Sequence, residues 1–328
     1  MSRRHLTVRH ESWPVRGSFT ISRGSVGAVE LVVVELEADG RRGWGECRPY
    51  ARYDESVRQT LAVIEAVRGP VEEGCGCQDL IELLPAGAAR NALDCAMIDL
   101  EAKLAGEPAW RLIGLPEPRP LPVTYTLSLD TPERMAAAAA EAADRPVLKL
   151  KLGGKDDIAR VTAVRAAVPE ARLIVDANEA WTPRVYRHVV PALAELGVEL
   201  IEQPFPAKED AWLDGLPRPI PICADESCRD AASVGKLVGR YDIVNLKLDK
   251  TGGLTEGLRA AMMAQARGLS LMVGCMVATS LAMAPAVLLA QLGQWCDLDG
   301  PLLLAKDREP GLAYHDGMVE PPPSALWG

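Results

Sequence analysis

The sequence is short of histidine. Four occur in 328 residues, and His5, His10 and His315 lie near the ends, which leaves His188 alone in the middle. That shortage speaks against a histidine-built metal site or a Ser-His-Asp triad, so acid–base chemistry falls to carboxylates and lysines. A basic tract is also missing: 45 Asp+Glu against 36 Lys+Arg leave a net charge of −9. Neither nucleic acid nor an anionic membrane is expected as the main partner. The opening Met1-Ser2-Arg3-Arg4-His5 has no apolar run after its basic residues, so no secretory signal is expected. Eight cysteines fall short of a disulfide scaffold, and a reducing cytoplasm is the expected compartment. Cys75 and Cys77 form one close pair with no second pair at zinc-ligand spacing, and they read as loop thiols. The charge-free stretch Gly268–Cys296 has the length of a membrane span. It contains Gly274, Thr279, Ser280 and Pro285, however, and reads as a buried strand followed by a buried helix.

What is present is a regular beat. Apolar residues at 48% and charged residues at 25% describe a globular chain. From residue 120 onward, β-rich runs alternate with Ala/Leu-rich helical stretches. The expected strands are Pro122–Leu127, Val147–Leu152, Leu173–Asp176, Glu199–Glu202, Ile220–Ala224, Ile243–Leu248, Leu271–Gly274 and Cys296–Asp299. They start about 21 to 28 residues apart, one βα unit each. Eight such strands predict a parallel barrel, an α/β fold, with the last helix absent or replaced. Residues 1–115 read as an α+β lobe, with a strand Val29–Glu37, a turn Gly40–Gly43, a partner strand Gly43–Cys47 and helices at Glu55–Arg68 and Ala88–Leu104. The expected division is a capping domain over 1–118, joined by the returning tail 303–328, and a barrel over 119–302.

Charge sits where a barrel should be apolar. In Leu148-Lys149-Leu150-Lys151-Leu152 the leucines share one face and the lysines the other. The outer face of a barrel strand packs against helices, so the lysines point inward. The alternation recurs in Val244-Asn245-Leu246-Lys247-Leu248-Asp249, and Asp297-Leu298-Asp299 puts two carboxylates on one face of the eighth strand. Between these, three successive strands end in an acid: Asp176, Glu202 and Asp225. The C-terminal ends of barrel strands are where this architecture places its active site. Three convergent carboxylates without His or Cys suit a hard cation such as Mg²⁺, and without one their repulsion would protonate at least one of them. Strands 2 and 6 lie opposite each other, so a reacting carbon would sit between Lys151 and Lys247. Its anionic end would lie at the metal and its cationic end at Asp297/Asp299. That arrangement suits removal of a proton from one face and its return to the other. Lys149 beside Lys151, with the cation nearby, is expected to lower the Lys151 pKa toward the neutral amine that a base must be.

Lys149-x-Lys151, Asp176-x-Asn178, Glu202-Gln203-Pro204, Asp225-Glu226-Ser227 and Asn245-x-Lys247 together resemble the enolase superfamily, muconate-lactonizing subgroup. The resemblance implies a modified TIM barrel, (β/α)7β, with an α+β capping domain. It implies one Mg²⁺ per subunit held by Asp176, Glu202 and Asp225, and Lys151 and Lys247 as the two acid/base catalysts. Asp297-Leu298-Asp299 is similar to the dipeptide-epimerase signature that binds a substrate α-ammonium. Arg23, in a mobile capping loop, matches an arginine that meets a substrate Glu side chain, and Thr126 matches a substrate-contacting threonine. Lys149 joins the substrate-binding set, with Asn178, Asn245 and Glu226 behind the ligands. The implied reaction is epimerisation of a small dipeptide of the Ala-Glu kind from recycled cell-wall peptide. Same-fold alternatives are an N-acylamino acid racemase, an o-succinylbenzoate synthase or a cycloisomerase, and the other class of reading is a non-catalytic binding barrel. Oligomeric state stays open, a homo-oligomer included.

Overall fold

A computed structural model describes residues 3–328. The first lobe is a three-stranded antiparallel sheet of His5–Ile21, Gly24–Ala38 and Arg41–Cys47. The last two strands turn at Asp39 and Gly40, both with positive φ (48° and 71°), which is the two-residue geometry that matches strand twist. The turn therefore lies one pair earlier than the expected Gly40–Gly43. The strand His5–Ile21 escapes the sequence reading because only a few of its residues are buried and Pro14 and Gly17 interrupt it. It forms all the same, since its neighbour offers a ladder from His5↔Glu37 to Ile21↔Gly24, broken only between Pro14 and Phe19. What reads as a loop around Arg23 is the tip of this long hairpin.

One helix, Ala88–Ala105, fastens the sheet to the rest. Its alanine content favours the helix, and Gly106 ends it in the left-handed region (φ 68°). It lies so close to the third strand that only glycine fits there. A Cβ at Gly45 would stand 2.0 Å from the Ala92 carbonyl oxygen, and one at Gly43 would stand 2.3 Å from that of Ala96.

The second lobe is an eight-stranded parallel sheet in sequential order: Thr124–Leu127, Val147–Lys151, Arg172–Asp176, Val198–Glu202, Ile222–Ala224, Ile243–Leu246, Ser270–Gly274 and Trp295–Asp297. A parallel bridge between Val123 and Cys296, with a 3.0 Å bond from Thr124 Oγ1 to the Cys296 carbonyl, brings the first and eighth strands together. All expected strands are found, and three stop short, the second by one residue at Lys151. The sixth ends at Leu246, and Lys247 precedes the short helix Leu248–Thr251. Asp249 thus leaves the inward face expected of it and accepts from Asn91 Nδ2 (2.8 Å) and the Arg48 amide (3.1 Å) of the first lobe. The eighth ends at Asp297, so Asp299 stands before the helix Gly300–Leu303 instead of on the strand.

The charge-free stretch folds as the strand Ser270–Gly274 and the wholly buried helix Ser280–Ala290. Among the described residues no helix is long and apolar enough to cross a membrane. The tail forms a small hairpin that pairs Val319 with Leu121, then reaches the helix Ala88–Ala105, where Trp327 Nε1 donates to the Cys95 carbonyl at 3.1 Å. Every cysteine is a free thiol.

Gly45→Ala should therefore cost about 1–3 kcal/mol by overpacking. Gly27→Ala, with nothing within 4 Å of the added carbon, should stay within about 0.5 kcal/mol. Denaturant midpoints of the two variants check this.

Candidate active site

The second barrel strand obeys its alternation. Leu148 and Leu150 enter the core, while Lys149 and Lys151 turn inward and are 1% and 7% exposed. A buried ammonium must find counter-charge. Lys149 Nζ lies 2.6 Å from Asp297 Oδ2, 2.6 Å from Glu202 Oε2 and 3.5 Å from Asp176 Oδ2. Lys151 Nζ lies 2.6 Å from Asp176 Oδ2. Across the ring, Lys247 Nζ lies 2.7 Å from Asp225 Oδ2. Asp225 also takes Lys250 Nζ at 2.6 Å, a buried partner that the sequence reading missed because it sits on the helix after the strand.

Asp176 and Glu202 are register partners on neighbouring strands, and Asp225 directly follows the next. The Gln203 side chain holds that corner by accepting from the amides of Asp225 (2.9 Å) and Ser227 (3.1 Å). Carboxylate oxygens of Asp176, Glu202 and Asp225 all lie within 4.8 Å of one another, the cluster of this kind among the described residues. Asn178 and Asn245 each bond one of these acids. The Asn178 amide donates to Asp176 Oδ1 at 2.8 Å, and Asn245 Nδ2 donates to Glu202 Oε1 at 2.8 Å.

The electrostatics of the cluster are those of acids crowded out of water. Burial, and then the Asp176 carboxylate, pushes Glu202 up to about 7. Burial opposes charge on Asp225 too, but Lys247 and Lys250 hold it well below the usual carboxylate range. Burial likewise opposes the charge on Lys149, and Asp297, Glu202 and Asp176 outweigh it, holding its pKa well above the usual lysine range. The charge of Lys149 is thus answered by three acids of the site. Glu202 Oε2, although near Lys149, makes no aligned hydrogen bond, and Asn178 Oδ1 and Asn245 Oδ1 have no partner at all. A hard cation among three carboxylates fits this all-oxygen donor set with its surplus of buried acceptors.

Above the cluster lies a cavity of about 250 Å³ between the hairpin tip and the barrel mouth, with Phe19, Ile21 and Val26 on one side and Lys149, Lys151 and Lys247 on the other. Arg23, Thr126, Asp297 and Asp299 also line it. The two aspartates differ. Asp297 is engaged by Lys149, yet its Oδ1 is buried without a partner. Asp299 accepts the Thr126 amide at 2.6 Å, and burial and the Asp297 charge push it up to about 6. Arg23 is already held, by Glu226 Oε1 (2.8 Å), Glu179 Oε2 (3.2 Å) and the Asn178 carbonyl (3.1 Å). Glu226 therefore faces the hairpin tip. Arg48, Tyr50 and Tyr53 line the cavity as well, and the sequence reading missed all three. They follow the third strand of the first lobe in Arg48-Pro49-Tyr50-Ala51-Arg52-Tyr53, where no periodic pattern marks them.

Residues 134–325 match the family model described as enolase C-terminal domain-like, and residues 3–114 match that of the mandelate racemase / muconate lactonizing enzyme N-terminal domain. An L-Ala-D/L-Glu epimerase from Escherichia coli is 46% identical, over 96% of this chain and 98% of that one. An N-acetyl-D-glutamate racemase from a Pseudoalteromonas species is 47% identical, over 91% and 95%. Among solved structures, an Agrobacterium tumefaciens enolase family member with homology to dipeptide epimerases, holding sodium and L-Ala-L-Glu, superposes with a TM-score of 0.97. It is 49% identical, over 99% of this chain and 100% of that one. A dipeptide epimerase from Enterococcus faecalis, complexed with Mg and L-Leu-L-Tyr, gives a TM-score of 0.91 at 30% identity, over 98% of each chain. A shared barrel, a shared capping lobe and identity of this level over nearly the full length lead to one conclusion: the chain belongs to the mandelate racemase / muconate lactonizing enzyme family.

Proposed function

We propose that this chain is a Mg²⁺-dependent dipeptide epimerase that moves a proton at the α-carbon of the C-terminal residue, interconverting L-Ala-D-Glu and L-Ala-L-Glu. The observation that carries the reading is the pair of buried lysines, Lys151 at the end of the second barrel strand and Lys247 just past the sixth, around one acidic cluster. Asp176, Glu202 and Asp225 would hold the cation, one per subunit. Bound there, it supplies positive charge to a substrate carboxylate whose α-proton is being removed.

The lysines do the proton transfer. One neutral amine takes the α-proton from its face, and the opposite ammonium returns a proton to the other face, so the stereocentre inverts and the proton count balances. Each lysine is held by one cluster acid, Lys151 by Asp176 and Lys247 by Asp225. Asp297, with its buried partnerless Oδ1, and Asp299 would receive the substrate ammonium. Lys149 would hold Asp297 in place, and Thr126 would fix Asp299. Residues 1–118 with the tail 303–328 act as the cap over the catalytic barrel 119–302. In this reading the enzyme works in the cytoplasm on dipeptides from recycled cell-wall peptide.

A second reading is an N-acylglutamate racemase. Asp297 Oδ2 is already engaged by Lys149, and one relative at 47% identity carries that kind of name. The two substrates differ in the free ammonium. Asp297→Asn should lower kcat/KM for a free-amino dipeptide by about 10²-fold, the scale of one lost charge-assisted contact. It should affect an N-acyl substrate far less, and parallel kinetics on the two decide between the readings.

Lys151→Ala and Lys247→Ala should each lower epimerisation by about 10²–10⁴-fold. Each should also fail to exchange the α-proton of one epimer while retaining exchange with the other, as read by NMR in deuterated water. No exchange by the unmodified protein with any dipeptide, Mg²⁺ present, would refute the proposal. Mg²⁺ at a hundred times its Kd should stabilise the fold by about 2.7 kcal/mol. Glu202→Gln should remove most of that gain in thermal unfolding.

A further inference from the structure

Five cationic side chains line the cavity: Arg23, Arg48, Lys149, Lys151 and Lys247. Four are spoken for, Arg23 by Glu226 and Glu179 and the three lysines by Asp297, Asp176 and Asp225. Arg48 is the exception. It is only 9% exposed, and among the described residues no carboxylate forms an ion pair with it. Its guanidinium makes one hydrogen bond, from Nη1 to the Val277 carbonyl at 3.3 Å, and lies over the Tyr50 ring at 5.4 Å. The nearby Asp249 turns its Oδ1 to the Arg48 amide and to Asn91 instead of to the guanidinium. Burial, working against Tyr50 and Asp249, pulls the Arg48 guanidinium below the usual arginine range.

A guanidinium has five N–H donors in a planar fork shaped for carboxylate. One left without an anion inside a binding cavity is a cost to the fold unless a ligand supplies the anion. The two ends of the dipeptide backbone are already provided for, by the cation site at the carboxylate and by Asp297/Asp299 at the ammonium. What remains is the side chain of the C-terminal residue.

We infer that Arg48 is the specificity-determining residue that receives the side-chain carboxylate of an acidic C-terminal residue, while Arg23 latches the hairpin tip to the barrel through Glu226 and Glu179. The inference rests on the epimerase reading and names what selects its substrate. Arg48 comes from the capping lobe and leans on the exit of the seventh barrel strand, so both lobes share in choosing the side chain.

The test compares L-Ala-L-Glu with its neutral isostere L-Ala-L-Gln, in the unmodified enzyme and in Arg48→Met, Arg48→Lys and Arg23→Met, with Mg²⁺ present. The Glu/Gln ratio of kcat/KM should fall about 10- to 100-fold in Arg48→Met, the range of a lost hydrogen bond to a charged group, and should recover in part in Arg48→Lys. Equal losses on both dipeptides, leaving the ratio unmoved, overturn the inference. So does a ratio that collapses in Arg23→Met but not in Arg48→Met. Thermal shifts given by each dipeptide read binding apart from turnover. A Glu-over-Gln shift that needs Arg48, in a protein that exchanges no α-proton, removes the epimerase reading and keeps Arg48 as the carboxylate's partner. Exchange that persists with a Glu/Gln ratio indifferent to Arg48 does the reverse.

Discussion

The barrel interior is built around buried charge that must be compensated. Lys149, Lys151, Lys247 and Lys250 face Asp176, Glu202, Asp225 and Asp297 at ion-pair distances inside a β-sheet whose other face is leucine, isoleucine and valine. In that setting an unpaired ammonium or carboxylate is costly, so each group has at least one partner of opposite charge, and Lys149 has three. The geometry useful for chemistry, with acids converging on one point and amines on either side, is also the geometry that makes burial tolerable. The balance is incomplete at Glu202, which burial and Asp176 push up to about 7. A divalent cation completes it.

The capping lobe depends on this centre through few contacts, each specific. Gly43 and Gly45 let the helix Ala88–Ala105 lie against the third strand. From the same helix Asn91 reaches Asp249, directly beyond the sixth barrel strand. Glu46, wholly buried, takes the Thr279 amide at 2.9 Å and Arg308 Nη2 at 2.6 Å. These links hold the end of the third strand over the barrel mouth, which delivers Arg48, Tyr50 and Tyr53 to the cavity. The long hairpin arrives separately and is pinned at its tip, where Ser22 Oγ and Arg23 both donate to the Asn178 carbonyl. Two routes from one lobe thus end on two arginines with different surroundings.

Much of this is legible along the chain because strand periodicity is local. A residue's face in Val147–Lys151 depends on its neighbours, and a closed parallel barrel converts face into inside or outside. Barrel order then brings Asp176, Glu202 and Asp225 together with no further information. The same logic fails at Asp249, because the strand stops at Leu246 and a helical turn follows. Extrapolating the alternation past the end of a strand puts a side chain on the wrong face.

The sequence by itself determined the eight-strand beat, the inward lysines and the acidic strand ends, since each follows from spacing of two and from the exclusion of unpaired charge from a core. Only the tertiary structure decided which charges answer one another. Lys149 pairs with Asp297, Glu226 faces Arg23 instead of the acidic cluster, and Arg48 enters the cavity from another lobe without a counter-ion among the described residues. Those are contacts between residues 148, 203 and up to 229 positions apart. No local pattern encodes them, because Coulomb energy depends on distance through space and not along the chain.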